Sequence, residues 1–292
     1  MKRSLQARLL RIRRFGGRMI RDKAIFYFIN GLSVGLLFYF YTESRYENHL
    51  FNAVAALVSK DLPDSNQDQE ILQRCLHVTH NLERNRSDIF AHIQVQGFKA
   101  KYLQPVTFDL MTGKGACGSN TMVMGRLVQE FGYPIRFGQM KVDGQYGGHI
   151  ILELYYQNEW KVFDPTYNLF YKRPDGQIAT FQDIASDWNY YSKQVPADYD
   201  RRYHFEGVRY TNWDKIPILL PALKKLLLMS LPKQYVEGIS MRVIILRKFA
   251  FLFYSSLAIF LFLHLLRLYL LRNIQKLRSQ QQQQNVHELS LA

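Results

Sequence analysis

The chain has 292 residues, 48% of them hydrophobic, and carries 38 Lys and Arg against 24 Asp and Glu, a formal net charge of +14. That length is enough to bury a substantial core, and the apolar residues gather in blocks rather than spreading evenly. A basic excess of this size is compatible with nucleic-acid binding, but here it sits at the two ends of the chain, which argues against that partner; the sequence has no internal repeat and no phosphate-binding glycine loop.

Residues 1–23 form a basic tail with nine Lys and Arg against Asp22, or +8. Ala24 to Tyr41 (AIFYFINGLSVGLLFYFY) follows without an acidic residue and is long enough to cross a hydrocarbon core. No small-residue cleavage site follows Phe38-Tyr39-Phe40-Tyr41, so an uncleaved signal anchor is expected rather than a removed signal peptide. Arg13-Arg14 stands too far from the apolar run for twin-arginine export, and the Arg content alone leaves a mitochondrial presequence as the alternative. Phe249 to Leu271 (FAFLFYSSLAIFLFLHLLRLYLL) is a second block of the same kind, with Arg267 near enough to its end to snorkel. Buried core helices are the plainer alternative for both blocks, but neither has an amphipathic period. From Arg267 onward four basic residues meet Glu288, or +3, which leaves about +3 for everything between. By the positive-inside rule both termini are expected in the cytoplasm and residues 42–215 on the far side of the membrane. Arg242, Arg247 and Lys248 oppose that orientation locally, against the stronger bias of the first block.

Within this central region, Asp61-Leu62-Pro63-Asp64-Ser65-Asn66 is expected to break two helices. Cys75 falls with Ile71, Leu72, Leu76 and Leu82 on the apolar side of the second helix and reads as core. With His77 and His80 it superficially resembles a metal cluster, but Cys75 and His77 point to different helix faces and no fourth ligand follows, so no metal is expected. Thr112-Gly113-Lys114-Gly115-Ala116 is a glycine-rich turn, and Met122, Val123, Leu127, Val128 and Phe131 then recur at helical spacing until Gly132 and Pro134. Cys117 therefore opens a helix, where free amide N–H groups and the positive dipole end favour a thiolate, and its own N–H is the expected oxyanion donor.

Ile150 to Tyr156 and Trp160 to Phe163 are β-rich runs separated by Gln157-Asn158-Glu159, the signature of a hairpin. A turn centred between Gln157 and Asn158 pairs residues whose numbers sum to 315 and sets Asp164 diagonal to His149; a centre one residue earlier opposes them directly. Either register lets Asp164 orient a His149 imidazole whose other nitrogen faces the thiol. A three-residue loop would reverse the parity and separate them.

A cysteine opening a helix, a histidine on the next strand but one, and an aspartate followed by Pro165-Thr166 after Trp160 resemble the transglutaminase-like superfamily over about Phe51 to Tyr171. The resemblance implies an α+β, papain-like core in which a central helix carries Cys117 against an antiparallel sheet carrying His149 and Asp164, and a membrane-anchored, bacterial-type member of that superfamily. It implies a Cys-His-Asp thiol chemistry on amide bonds with no cofactor, either peptidase or amidase action or acyl transfer, on a peptide, protein or other amide-bearing envelope substrate. Ile150 stands where relatives often carry a small or aromatic residue, and Met111 cannot donate to an oxyanion; Gln104 or Tyr102 from the preceding loop is the alternative side-chain donor. A catalytically inactive scaffold of a membrane complex is the competing reading.

Pro174 and Gly176 are expected to end this core. The aromatic stretch 188–213 reads either as a packed extension or as a groove for a glycan or peptide, with the packed reading favoured. Within a juxtamembrane segment 216–248, the apolar run Ile216 to Leu231, interrupted by Pro221 and Lys224-Lys225, reads as a helix lying along the membrane surface, and residues 272–292 as a polar cytoplasmic tail whose Gln280 to Gln284 tract is expected to be disordered.

Overall fold

The computed structural model describes residues 23–60, 62, 67–90, 95–113 and 115–291. The basic tail before Lys23, most of the breaker at 61–66, and Lys114 of the glycine-rich turn lie outside the described residues. Two compact units emerge, one formed by residues up to Glu43 together with those from Phe249 onward, the other by Ser44–Lys248.

The first unit takes the start of helix α1 (Lys23–Ser59) and the helix α10 (Lys248–Leu291). Both contain a stretch long and apolar enough to cross a membrane, Ala24–Ser59 and Lys248–Asn273. Their few polar side chains turn back on their own helix: Asn30 Nδ2 donates to Phe26 O at 2.7 Å, Ser33 Oγ to Ile29 O at 2.8 Å, and His264 Nδ1 lies 3.0 Å from Phe260 O. Such i−4 bonds satisfy polar groups where water is scarce. Arg267 stacks its guanidinium 3.5 Å from the Phe26 ring centroid, so its charge is held by an aromatic face rather than simply extended toward the interface. The helical backbone runs on to Leu291 through the stretch where a disordered tail is expected. Gln, Leu, Lys and Arg all propagate a helix well, and no Gly or Pro stands after Leu271 to stop it.

The second unit is α+β. After α1 come α2 (Gln67–Phe90), a π-helical turn Lys99–Leu103, α3 (Val106–Thr112) and α4 (Cys117–Val128). Strands β1 (Ile135–Val142), β2 (Gln145–Tyr156), β3 (Glu159–Asp164) and β4 (Leu169–Phe170) follow, then α5 (Phe181–Ser186), α6 (Trp188–Tyr191) and β5 (Val208–Arg209). Helices α7 (Leu219–Leu228), α8 (Lys233–Gly238) and α9 (Arg242–Leu246) close the unit. The five strands form one antiparallel sheet in the order β4-β3-β2-β1-β5.

Alternation along the strands gives the sheet two apolar faces. Ile135, Phe137, Leu152, Leu154 and Phe163 pack with Val123, Met124 and Leu127 of α4 and with Leu72, Cys75 and Leu76 of α2. Met140, Ile151 and Val162 pack with Tyr171, Tyr191, Tyr199 and Phe205. The aromatic stretch after Trp188 is thus a second covering layer. Burying a side chain of this size contributes about 1.5–3 kcal/mol, so both layers matter to stability. Cys75 is fully buried in the first layer, which pushes its thiol up to about 12, while His77 is exposed on another face.

Residues 216–248 pack within this unit. Ser240 Oγ accepts from Phe137 N at 3.1 Å, Thr211 Oγ1 donates to Ile239 O at 2.6 Å, and Leu246 is buried in the α4 layer. Pro221 does not break α7. It stands in the first turn, where a backbone N–H has no intrahelical acceptor, so its missing donor is harmless.

Glu83 on α2 is 1% exposed, and neither carboxylate oxygen has a hydrogen-bond partner among the described residues. Burial pushes its carboxyl up to about 8, with Arg86 opposing and Asp109 adding to the rise. In the unfolded chain the group titrates near ~4.3. Between those values the folded chain keeps a proton that the unfolded chain has lost, so stability falls as pH rises and levels off above the folded value. Unfolding measured in detergent across that range is expected to show this decline, and Glu83→Gln to reduce it by on the order of 1–3 kcal/mol. An identical decline in the variant would contradict the assignment.

Candidate active site

The β2–β3 connection determines the site. Gln157 and Asn158 are its two loop residues, with φ of 52° and 62°, the left-handed pair that a tight two-residue hairpin requires. Glu159 begins β3, and the pairs run from Tyr156↔Glu159 to Leu152↔Phe163, all summing to 315. Of the registers compatible with the sequence, this is the one that leaves Asp164 diagonal to His149 on one face. His149 Nε2 and Asp164 Oδ2 are 2.6 Å apart with both side chains buried.

Each carboxylate oxygen of Asp164 has a partner. Oδ1 accepts from the Thr166 backbone N–H at 3.1 Å, which explains the residues after the aspartate: Pro165 turns the chain and Thr166 offers its amide back. His80 on α2 reaches Pro165 O at 3.2 Å and pins the same turn. At the other end, β1 and β2 shift register between Met140 and Lys141. A Cβ on Gly148 would lie 2.6 Å from Val142 Cβ, and Gly147 has φ 106°, so only glycines fit this bulge ahead of His149.

Cys117 is half-buried at the first residue of α4. Ala116 before it adopts φ 46°, ψ −124°, a strained conformation for a residue with a Cβ. The turn is tied down from α3: Gly115 N donates to Ser119 Oγ at 2.8 Å, and Ser119 Oγ donates to Asp109 Oδ1 at 2.9 Å. The Thr121 hydroxyl lies 2.5 Å from Cys117 O and 3.0 Å from Ile150 O, joining the helix start to β2 next to His149. The Cys117 N–H has no acceptor among the described residues and remains open to an oxyanion. Tyr102 is exposed with its ring against Phe98, and the Gln104 backbone carbonyl accepts from Lys248.

The electrostatics follow from this geometry. Burial raises the Cys117 thiol, but hydrogen bonding to His149, the charge of His149 and the Ile150 backbone more than offset it, so the thiol lies below its ordinary range. Burial lowers His149, yet the charge and hydrogen bond of Asp164, together with Cys117, carry it well above the ordinary imidazole range. Both directions favour a thiolate–imidazolium pair. Since Nε2 is taken by Asp164, Nδ1 is the nitrogen left for the thiol.

The sequence reading missed the support around the base. Tyr203 stacks on the imidazole with ring centroids 4.3 Å apart and planes within 10°, and Tyr167 tilts against it at 6.0 Å. Tyr167 is held in turn by Tyr199 at 4.7 Å and accepts from Asp200 N through its hydroxyl. Only the density of aromatics after Trp188 hinted at this layer. No family model matches the chain, and no curated protein or solved structure matches it.

The pH dependence of Cys117 alkylation by iodoacetamide, read by mass on the Cys117 peptide, is expected to have its acid limb below that of a free thiol. His149→Ala removes the main lowering influences while burial remains, so the limb is expected to move up by on the order of one pH unit or more. A limb that does not move would sink the ion pair.

Proposed function

We propose that the protein is a membrane-anchored, transglutaminase-like thiol enzyme with a papain-like core. The single observation that carries this reading is the buried 2.6 Å His149–Asp164 bond beside a cysteine that opens a helix. Cys117 Sγ attacks an amide carbonyl, and the oxyanion is received by the Cys117 N–H. His149 then hands its proton to the departing amine, leaving a thioester on sulfur. Water releases a free acid, as in a peptidase or amidase; an amine in its place gives acyl transfer. Asp164 holds the imidazole in the required orientation throughout.

Two helices long and apolar enough to span a bilayer support anchoring. The exposed apolar side chains of Ile216, Ile218, Leu219, Leu226, Met229 and Leu231 suit contact with the membrane surface. The charge bias of the termini then puts the catalytic unit outside the cytoplasm, facing an envelope substrate.

An activity-based thiol probe is expected to label the membrane-inserted wild type and not Cys117→Ala. Asp164→Asn is expected to slow labelling-dependent turnover by about 10²-fold or more. Folded, inserted protein that takes no label would favour a binding scaffold. For orientation, a reporter fused after Tyr171 should be active only outside the cytoplasm, and cytoplasmic signal would overturn the topology.

A further inference from the structure

The arginines of the catalytic unit differ in how their charge is met. Arg126, Arg136, Arg173, Arg202 and Arg247 each meet a carboxylate. Arg242 and Arg209, both half-buried, form no ion pair with a carboxylate among the described residues. A half-buried guanidinium without a counter-ion is costly, and Arg209 is compensated only by Gln139 and by the Tyr146 ring 5.0 Å away.

Both stand on the Cys117 side of the sheet. Arg209 lies opposite Gln139 on β1 and donates to Gln139 Oε1 through Nη2 at 2.9 Å. Gln139 is in turn opposite Ile150, whose carbonyl meets Thr121 and whose backbone hydrogen-bonds the Cys117 thiol. Arg242 opens α9, which packs on β1 and on α4. Burial lowers its guanidinium, and it feels both the Cys117 thiolate, which opposes that effect, and the repulsion of Arg209, which adds to it. Arg209 also lines a cavity of about 530 Å³, with Lys224 and Lys225 against Asp214 and Glu237 on its wall.

Resting on the thiol-enzyme reading, we infer that Arg242 and Arg209 form a carboxylate-binding subsite beside Cys117 and direct the enzyme to amide bonds flanked by a carboxylate. The substrate supplies the counter-ion that the fold withholds. A planar guanidinium suits this role because it binds a carboxylate through two parallel N–H bonds. Neutral amides lack that anchor and are disfavoured as substrates.

The test compares two alkylating probes on the full-length protein in detergent, iodoacetate and iodoacetamide. In both, the Cys117 sulfur forms a bond to the methylene carbon and iodide leaves; only iodoacetate carries a carboxylate. Rates are read by mass on the Cys117 peptide, so that Cys75 does not contribute. The iodoacetate-to-iodoacetamide rate ratio is expected to exceed that of a free thiol. Arg242→Gln should lower it by about fivefold and Arg242→Gln with Arg209→Gln by more, while Arg242→Lys retains most of it. A ratio indifferent to both arginines, with iodoacetamide still reacting at Cys117, would overturn the subsite and leave the thiol enzyme intact. Failure of both reagents at Cys117 would overturn the thiol enzyme and the subsite with it.

Discussion

The parity of the β2–β3 hairpin is the constraint on which the site depends. Two residues, Gln157 and Asn158, make the turn, and that count puts Asp164 on the same sheet face as His149. One residue more in the loop would turn the carboxylate to the opposite face. With it would go the 2.6 Å bond, the elevated imidazole and the favoured thiolate. The surrounding architecture guards the two ends of this arrangement. The Gly147-Gly148 bulge aims His149, and the Pro165-Thr166 turn, held by His80, aims Asp164.

The helix side has its own logic. Cys117 is presented by a strained residue, Ala116, at the end of a turn fastened through Ser119 to Asp109. Strain of this kind persists only where neighbouring bonds over-determine the backbone, as the Gly115–Ser119 and Ser119–Asp109 bonds do here. The thiol is half-buried, and His149 holds it below its ordinary range. Cys75, fully buried among apolar side chains, shows the contrasting fate of a cysteine used for packing.

Much of this was legible from local pattern. The helix from Cys117, the hairpin and its alternatives, and the core position of Cys75 all rest on periodicity and turn chemistry within a dozen residues. The two apolar helices were equally plain from length and composition, although α10 continues past Leu271 because nothing in its composition stops it. What stayed hidden depends on distant parts of the chain meeting. Tyr203 on His149, Ser240 on Phe137 and Arg247 on Glu130 are separated in sequence by more than fifty residues, and no period or spacing reports such contacts.

The stack of Tyr203 on His149 also bears on how small a working piece of this chain can be. The proposed triad ends at Asp164. The base is nonetheless clamped by a ring thirty-nine positions after Asp164, within a layer that also covers Met140 and Ile151. A fragment cut after Tyr171 would keep all three reactive side chains and lose the wall that keeps water from one face of the imidazole. The folded unit around His149 is therefore longer than the motif, and its outer limit is drawn by the tyrosines of this layer.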